Sequence, residues 1–247
     1  MKKILEVQGA TKHFGGVIAN DDVSIHVPEG SIIGLIGPNG SGKTTLFNSI
    51  VGSHPLDGGS VKFEGQEISS LRVPQIARLG LLRTFQQTRI FTGMNCLENM
   101  EISVTHAKGN ISRMIAPYTA KGSDRANELL DFVGLHEKRK LIAGSLSFGQ
   151  QKLLEFAMAL MNGPKLLLLD EPTAGINPTL INNLVDRLQR ANKELGISLL
   201  VIEHNMPVIM GLAEHIFCLA HGKLLAQGTP EEVKKDGRVL DAYLGAQ

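Results

Sequence analysis

Residues 32–46, IIGLIGPNGSGKTTL, constrain this chain more than any other stretch. Ile32 to Ile36 form a short apolar run next to glycine, which reads as a buried strand. Gly37, Pro38, Asn39, Gly40, Ser41, Gly42, Lys43, Thr44 and Thr45 follow, and then a helical apolar pattern. A glycine-rich turn between a strand and a helix start lets backbone N–H groups converge on an anion, which the helix dipole also favours. Gly37, Gly42, Lys43 and Thr44 meet the spacing G-x-x-x-x-G-K-[ST], in which the lysine reaches the terminal phosphates and the hydroxyl reaches Mg²⁺. The stretch predicts a nucleoside triphosphate site carried on an α/β sheet.

The rest of the chain has the strands such a sheet needs. Short β-like runs recur at 4–7, 23–27, 61–63, 81–85, 166–170, 199–203 and 216–220. The later ones are uniformly apolar and alternate with helical patterns, which implies a parallel sheet covered on both faces. Asn177 with Pro178, and Thr229 with Pro230 and Glu232, are helix-start signals. In the first third the runs alternate and are linked by short turns such as PEG (28–30) and LDGG (56–59), which reads as antiparallel. From about 87 to 162 strand signals give way to helical ones. The expected architecture is a single domain over 1–247, with a parallel core, an N-terminal antiparallel β subdomain and an α-helical subdomain at about 87–162.

Composition excludes several classes. A net charge of +1 gives no bulk attraction to nucleic acid or acidic membrane. The two cysteines, Cys96 and Cys218, lie far apart without C-x-x-C spacing, which argues against a disulfide framework or zinc site and for a reducing compartment. The basic start MKKILEV meets Glu6 too early for a signal peptide. No apolar run approaches the roughly 20 residues that span a bilayer, so any membrane role is expected to run through a partner.

Three further features concern chemistry. LLLLDEP closes an apolar strand with Asp170 and Glu171, costly there unless a cation compensates. In a sheet bearing a phosphate loop, strand ends converge on the nucleotide, which suits Asp170 to Mg²⁺ and Glu171 to an attacking water as general base. His204 and Gln86 end two other strands and fall on the same rim. GSLSFGQQKLLEFAMAL (144–160) opens a helix with Ser147 and Gln150 as a capping box, yet places Gly149 in its first turn at a cost of roughly 1 kcal/mol.

Phosphate loop, strand-end glutamine, LSFGQ, LLLLDEP and strand-end histidine, in that order, resemble the ATP-binding-cassette (ABC) ATPases over nearly the whole chain. The resemblance implies a P-loop NTPase (RecA-like) fold, with ATP and Mg²⁺ as cofactors. It also implies Gln86 touching Mg²⁺ beside Thr44 and Asp170, Glu171 as base, His204 at the γ-phosphate, and Phe14 stacked on adenine. Ser147, Phe148, Gly149 and Gln150 would face the γ-phosphate of ATP held by a second ATPase subunit, with Gly149 admitting the backbone. Phe148 departs from the commoner glycine, and AGIN (174–177) from the commoner S-A-L-D. Finer motifs, among them RTFQQTRIFTGMNCLENM, VIEHNM and AYLGAQ, are similar to ATPase subunits of branched-chain (hydrophobic) amino-acid importers. That implies separate permease subunits, a substrate-binding protein reached through them, no nucleic acid, and a peripheral place on the cytoplasmic face of the inner membrane. The permease is expected to dock between Arg89 and Glu98, on Ile90, Phe91 and Met94. Urea or amide importers, lipopolysaccharide-export ATPases and soluble ABC ATPases remain alternatives.

Overall fold

A computed structural model describes residues 2–84, 89–104 and 120–244, with backbone alone at 120–122. Residues 85–88, which include Gln86, and residues 105–119 and 245–247 lie outside the described residues. Two compact units emerge: Met1–Arg83 with Lys165–Pro172 and Gln189–Gln247, and Thr84–Pro164 with Thr173–Leu188.

The first unit holds two sheets. β1 (Lys3–Phe14), β2 (Val17–Pro28), β4 (Gly58–Phe63) and β5 (Gln66–Glu67) pair antiparallel in the order β2-β1-β4-β5. β3 (Ile32–Ile36), β6 (Leu81–Arg83), β7 (Leu166–Asp170), β8 (Ser198–Ile202), β9 (His215–Ala220) and β10 (Lys223–Gly228) form the other, in the order β10-β9-β3-β8-β7-β6. All pairs in it are parallel except β10 with β9. Every residue of β3, β7 and β8 is buried, as strands apolar on both faces require.

The structure corrects the reading of both turns, since LDGG leads from a helix into β4 and does not join two strands. PEG does not join antiparallel neighbours, because β2 ends in the first sheet and β3 begins in the second. There the Gly30 N–H donates to Ser198 Oγ at 2.8 Å. The first sheet's hairpin turns at Gly15 and Gly16 instead. β10 carries no apolar alternation; the positive φ of His221 (49°) and Gly222 (77°) makes the tight turn that lays it along β9. Core side chains from both sheets meet Leu46, Phe47 and Ile50 of helix α1 (Lys43–Ile50). The same unit carries α2 (Val73–Leu79), α7 (Met206–Leu212), α8 (Pro230–Lys235) and α9 (Gly237–Leu244).

The second unit contains α3 (Cys96–Ile102), α4 (Ala120–Phe132), α5 (Phe148–Leu160) and the start of α6 (Pro178–Leu195). Residues 173–188, outside the 87–162 span read from sequence, belong to it. Its interior includes Met100, Leu129, Leu130, Leu154 and Phe156. Backbone bonds from Ala143 N–H to Met94 O (2.8 Å) and from Gly144 N–H to Thr92 O (3.0 Å) tie its two non-helical stretches together.

Candidate functional site

In the first unit, parallel strands deliver their C-terminal residues to one edge. β3 runs into the phosphate loop. A Cβ on Gly37 would lie 2.1 Å from Leu219 O, and one on Gly42 would lie 2.2 Å from Ala19 O, so neither position admits a side chain. Asn20 Nδ2 donates to Gly42 O at 3.2 Å, and Gly222 N–H to Ser41 O at 3.2 Å. Gly42 caps α1 without any side-chain hydrogen bond, so the first N–H groups of the helix keep their capacity for an anion. Lys43 is buried, and its ammonium donates to Gly37 O (2.8 Å), Pro38 O (2.9 Å) and Ser41 Oγ (3.3 Å). Burial pulls its pKa down, against the opposing pull of Glu171 and Asp170. Thr44 is exposed and Thr45 half-buried; Asn39 and Gly40 are exposed at the loop's outer turn. An uncapped helix start with an ammonium folded onto it fits the phosphates of ATP.

Asp170, at the end of β7, is 2% exposed and would be an isolated buried charge without a cation. The cation is Arg83 of β6, whose Nη2 lies 2.6 Å from Asp170 Oδ2 while Nη1 donates to Asn48 of α1. Arg83 pairs in register with Leu168, so period-two alternation puts Asp170 on the same face. Sequence reading passed over Arg83, although a lone charge in LLRTF was the available signal.

Glu171 has φ 49°, a left-handed conformation uncommon for a residue with a side chain. Its N–H donates to Ile202 O (2.9 Å), and Oε1 lies 3.1 Å from His204 Nε2. Glu203, buried and also missed from sequence, accepts the N–H groups of His204 (3.0 Å) and Asn205 (3.1 Å), which fixes the backbone that presents the histidine. The structure therefore brings Glu171 and His204 together. Phe14 is 45% exposed at the end of β1, edge-on to His54 at 5.5 Å between centroids and with Lys12 Nζ 5.5 Å from its own. Gln86 lies outside the described residues. Among the described residues no group of three or more His, Cys, Asp and Glu is poised for a metal. Mg²⁺ at nucleotide sites takes phosphate oxygens and few side chains, which Thr44 and Asp170 are suited to supply.

In the second unit, Ser147 caps α5. Its Oγ accepts the Gln150 N–H at 3.4 Å, and its own N–H donates to Gln150 Oε1 at 3.1 Å. Among the described residues the Ser147 hydroxyl proton has no acceptor. Gly149 is buried, and a Cβ there would stand 2.7 Å from Leu180 Cδ1 and 3.3 Å from Ile176 Cγ2. A side chain at this position would therefore require Leu180, in the first turn of α6, to shift. Phe148 is 46% exposed, and its ring lies 5.8 Å from Lys152 Nζ. Asn177 caps α6, its Oδ1 accepting the Thr179 N–H at 3.0 Å.

Phosphate loop, strand-end acid pair and histidine on one parallel sheet define a P-loop ATPase. Residues 20–174 match the profile described as ABC transporter, and the chain belongs to that family. Residues 223–247 match a second profile, branched-chain amino acid ATP-binding cassette transporter. The high-affinity branched-chain amino acid transport ATP-binding protein BraF of Pseudomonas aeruginosa is 38% identical, over 99% of this chain and 98% of that protein. The corresponding protein LivG of Escherichia coli K12 is 35% identical, over 98% of each. Among solved structures, a nucleotide-free ATP-binding cassette from an ABC transporter superposes with TM-score 0.88 at 32% identity, covering 97% of this chain and 98% of that one. The ADP conformation of an ATP-binding cassette of an ABC transporter gives 0.90 at 32% identity, covering 99% and 100%. The protein is an ATPase that uses ATP with Mg²⁺, and ATPases of this family work as dimers with transmembrane permease subunits.

Proposed function

We propose that this chain is the ATP-hydrolysing subunit of an importer of branched-chain or other hydrophobic amino acids. It would be held peripherally on the cytoplasmic face of the membrane by permease subunits, which a substrate-binding protein supplies. The match of residues 223–247 carries the substrate class, and the full-length relatives named for branched-chain amino acid transport support it. The 3.1 Å contact of Glu171 with His204 carries the hydrolytic reading.

In this reading Lys43 and the α1 start bind the phosphates, while Thr44, Asp170 and Gln86 hold Mg²⁺. Mg²⁺ held there would supply positive charge against that developing on the transferred phosphoryl group. Glu171 orients a water and takes its proton, and His204 fixes the carboxylate and faces the γ-phosphate. Phe14, with half its ring open, offers the adenine a stacking surface. Ser147, Phe148, Gly149 and Gln150 serve the site of the opposing subunit. The permease docks on 89–98, where Phe91 is 50% exposed and Ile90 and Met94 are half-buried. Leu141 and Ile142, 48% and 49% exposed on the stretch bonded to it, extend that apolar surface.

The test is co-purification with the permease, then leucine uptake into proteoliposomes containing MgATP. Uptake should cease with Glu171→Gln while ATP still binds, since losing a general base costs about 10²–10⁴-fold. Active complexes that carry urea or amides would overturn the substrate. Failure to bind any permease would overturn the transport role.

A further inference from the structure

Gly37 begins the phosphate loop, and its N–H is a buried donor beyond the end of the β3–β9 ladder, which closes at Ile36 and Cys218. A buried N–H without an acceptor is costly. The acceptor is Tyr243 on α9, whose Oη lies 2.8 Å from Gly37 N. The other polar atom of Gly37, its carbonyl oxygen, accepts Lys43 Nζ at 2.8 Å. Gly37 is thus gripped at both ends, by the loop lysine and by the C-terminal helix. Lys43 is exchangeable, because the same ammonium serves the phosphates; the tyrosine is not. A phenol also suits this position electrostatically. Burial raises its pKa to about 12, so it accepts the hydrogen bond without placing a negative charge beside an anion site. On α9, Val239 is buried, while Leu240 and Leu244 are 52% and 70% exposed.

We propose that Tyr243 is a positioning residue of the nucleotide site, and that through it the C-terminal segment 223–244 holds the phosphate loop in its binding geometry. The inference rests on ATP binding at that loop. It gives the segment matched by the branched-chain profile a task at the nucleotide, separate from any contact with permease or substrate.

Tyr243→Phe keeps the ring and removes the acceptor. In a Glu171→Gln background, its Kd for MgATP should rise about fivefold, the loss of one hydrogen bond. With Glu171 intact, KM for ATP should rise by a similar factor while kcat stays within about twofold. In the unaltered protein the Gly37 amide should exchange hydrogen more slowly than the amides of Asn39 and Gly40, and Tyr243→Phe should abolish that difference. A tyrosine that only anchors α9 would give a lower melting temperature with Kd and KM unchanged, and that result overturns the proposal. So does an unprotected Gly37 amide in the unaltered protein. Lys43→Ala separates the two readings: if it binds MgATP as tightly as its parent, the loop assignment itself has failed.

Discussion

Arg83 sits in a three-residue strand and answers the charge of Asp170, a partner 87 positions along the chain. Because both side chains are nearly inaccessible, Arg83→Leu leaves a buried carboxylate uncompensated and should cost about 3–5 kcal/mol in urea unfolding. Adding Asp170→Asn should recover part of that loss, and a double variant less stable than Arg83→Leu would contradict the pairing. Cys218 yields a second test. Burial raises its thiol to about 11, so at pH 8 it is protonated and should resist iodoacetamide until the protein is unfolded. Rapid labelling of native protein at Cys218 would refute the burial. The acid pair and the phosphate loop were legible because each is a contiguous motif. Arg83 and Tyr243 were not, because their partners Asp170 and Gly37 lie 87 and 206 positions away, and Glu203 was not, because its bonds to the backbone of His204 and Asn205 follow no sequence pattern.

Among the elements, the helix starts were the most legible part of the chain. A cap and its box lie within four residues, and Ser147 with Gln150, like Thr229 with Glu232, form the bonds their spacing implies. Gly149 was legible as an anomaly but not in its cause. Its neighbour Leu180 belongs to α6, and contacts between helices leave no local trace. Gly149→Ala should therefore destabilise by about 1–3 kcal/mol through overpacking, despite the better helix propensity of alanine. Leu180→Ala in the same chain should return part of that stability, measured as a double-variant cycle. Simple additivity of the two costs would contradict the packing argument and leave phosphate approach as the reason for the glycine. β10 escaped the sequence because it carries no apolar alternation, and the PEG crossing because its flanking strands lie in different sheets. Strand partners are chosen by the sheet, and a short turn fixes them only when both flanking strands join the same one.

The whole molecule pairs a unit bearing Lys43, Thr44, Asp170 and Glu171 with a unit bearing the α5 start. The α5 start has neither lysine nor metal ligand in its first turn, so we read it as serving a nucleotide held by another subunit. ATP should then join two subunits, and slowing hydrolysis should trap them. The most direct measurement is the mass of Glu171→Gln protein by light scattering on a sizing column, with and without MgATP. The account predicts a monomer without nucleotide and a dimer with it. Ser147→Arg, which sets bulk and charge at the helix start, should return the MgATP sample to monomer. A dimer that persists in Glu171→Gln/Ser147→Arg would contradict the account.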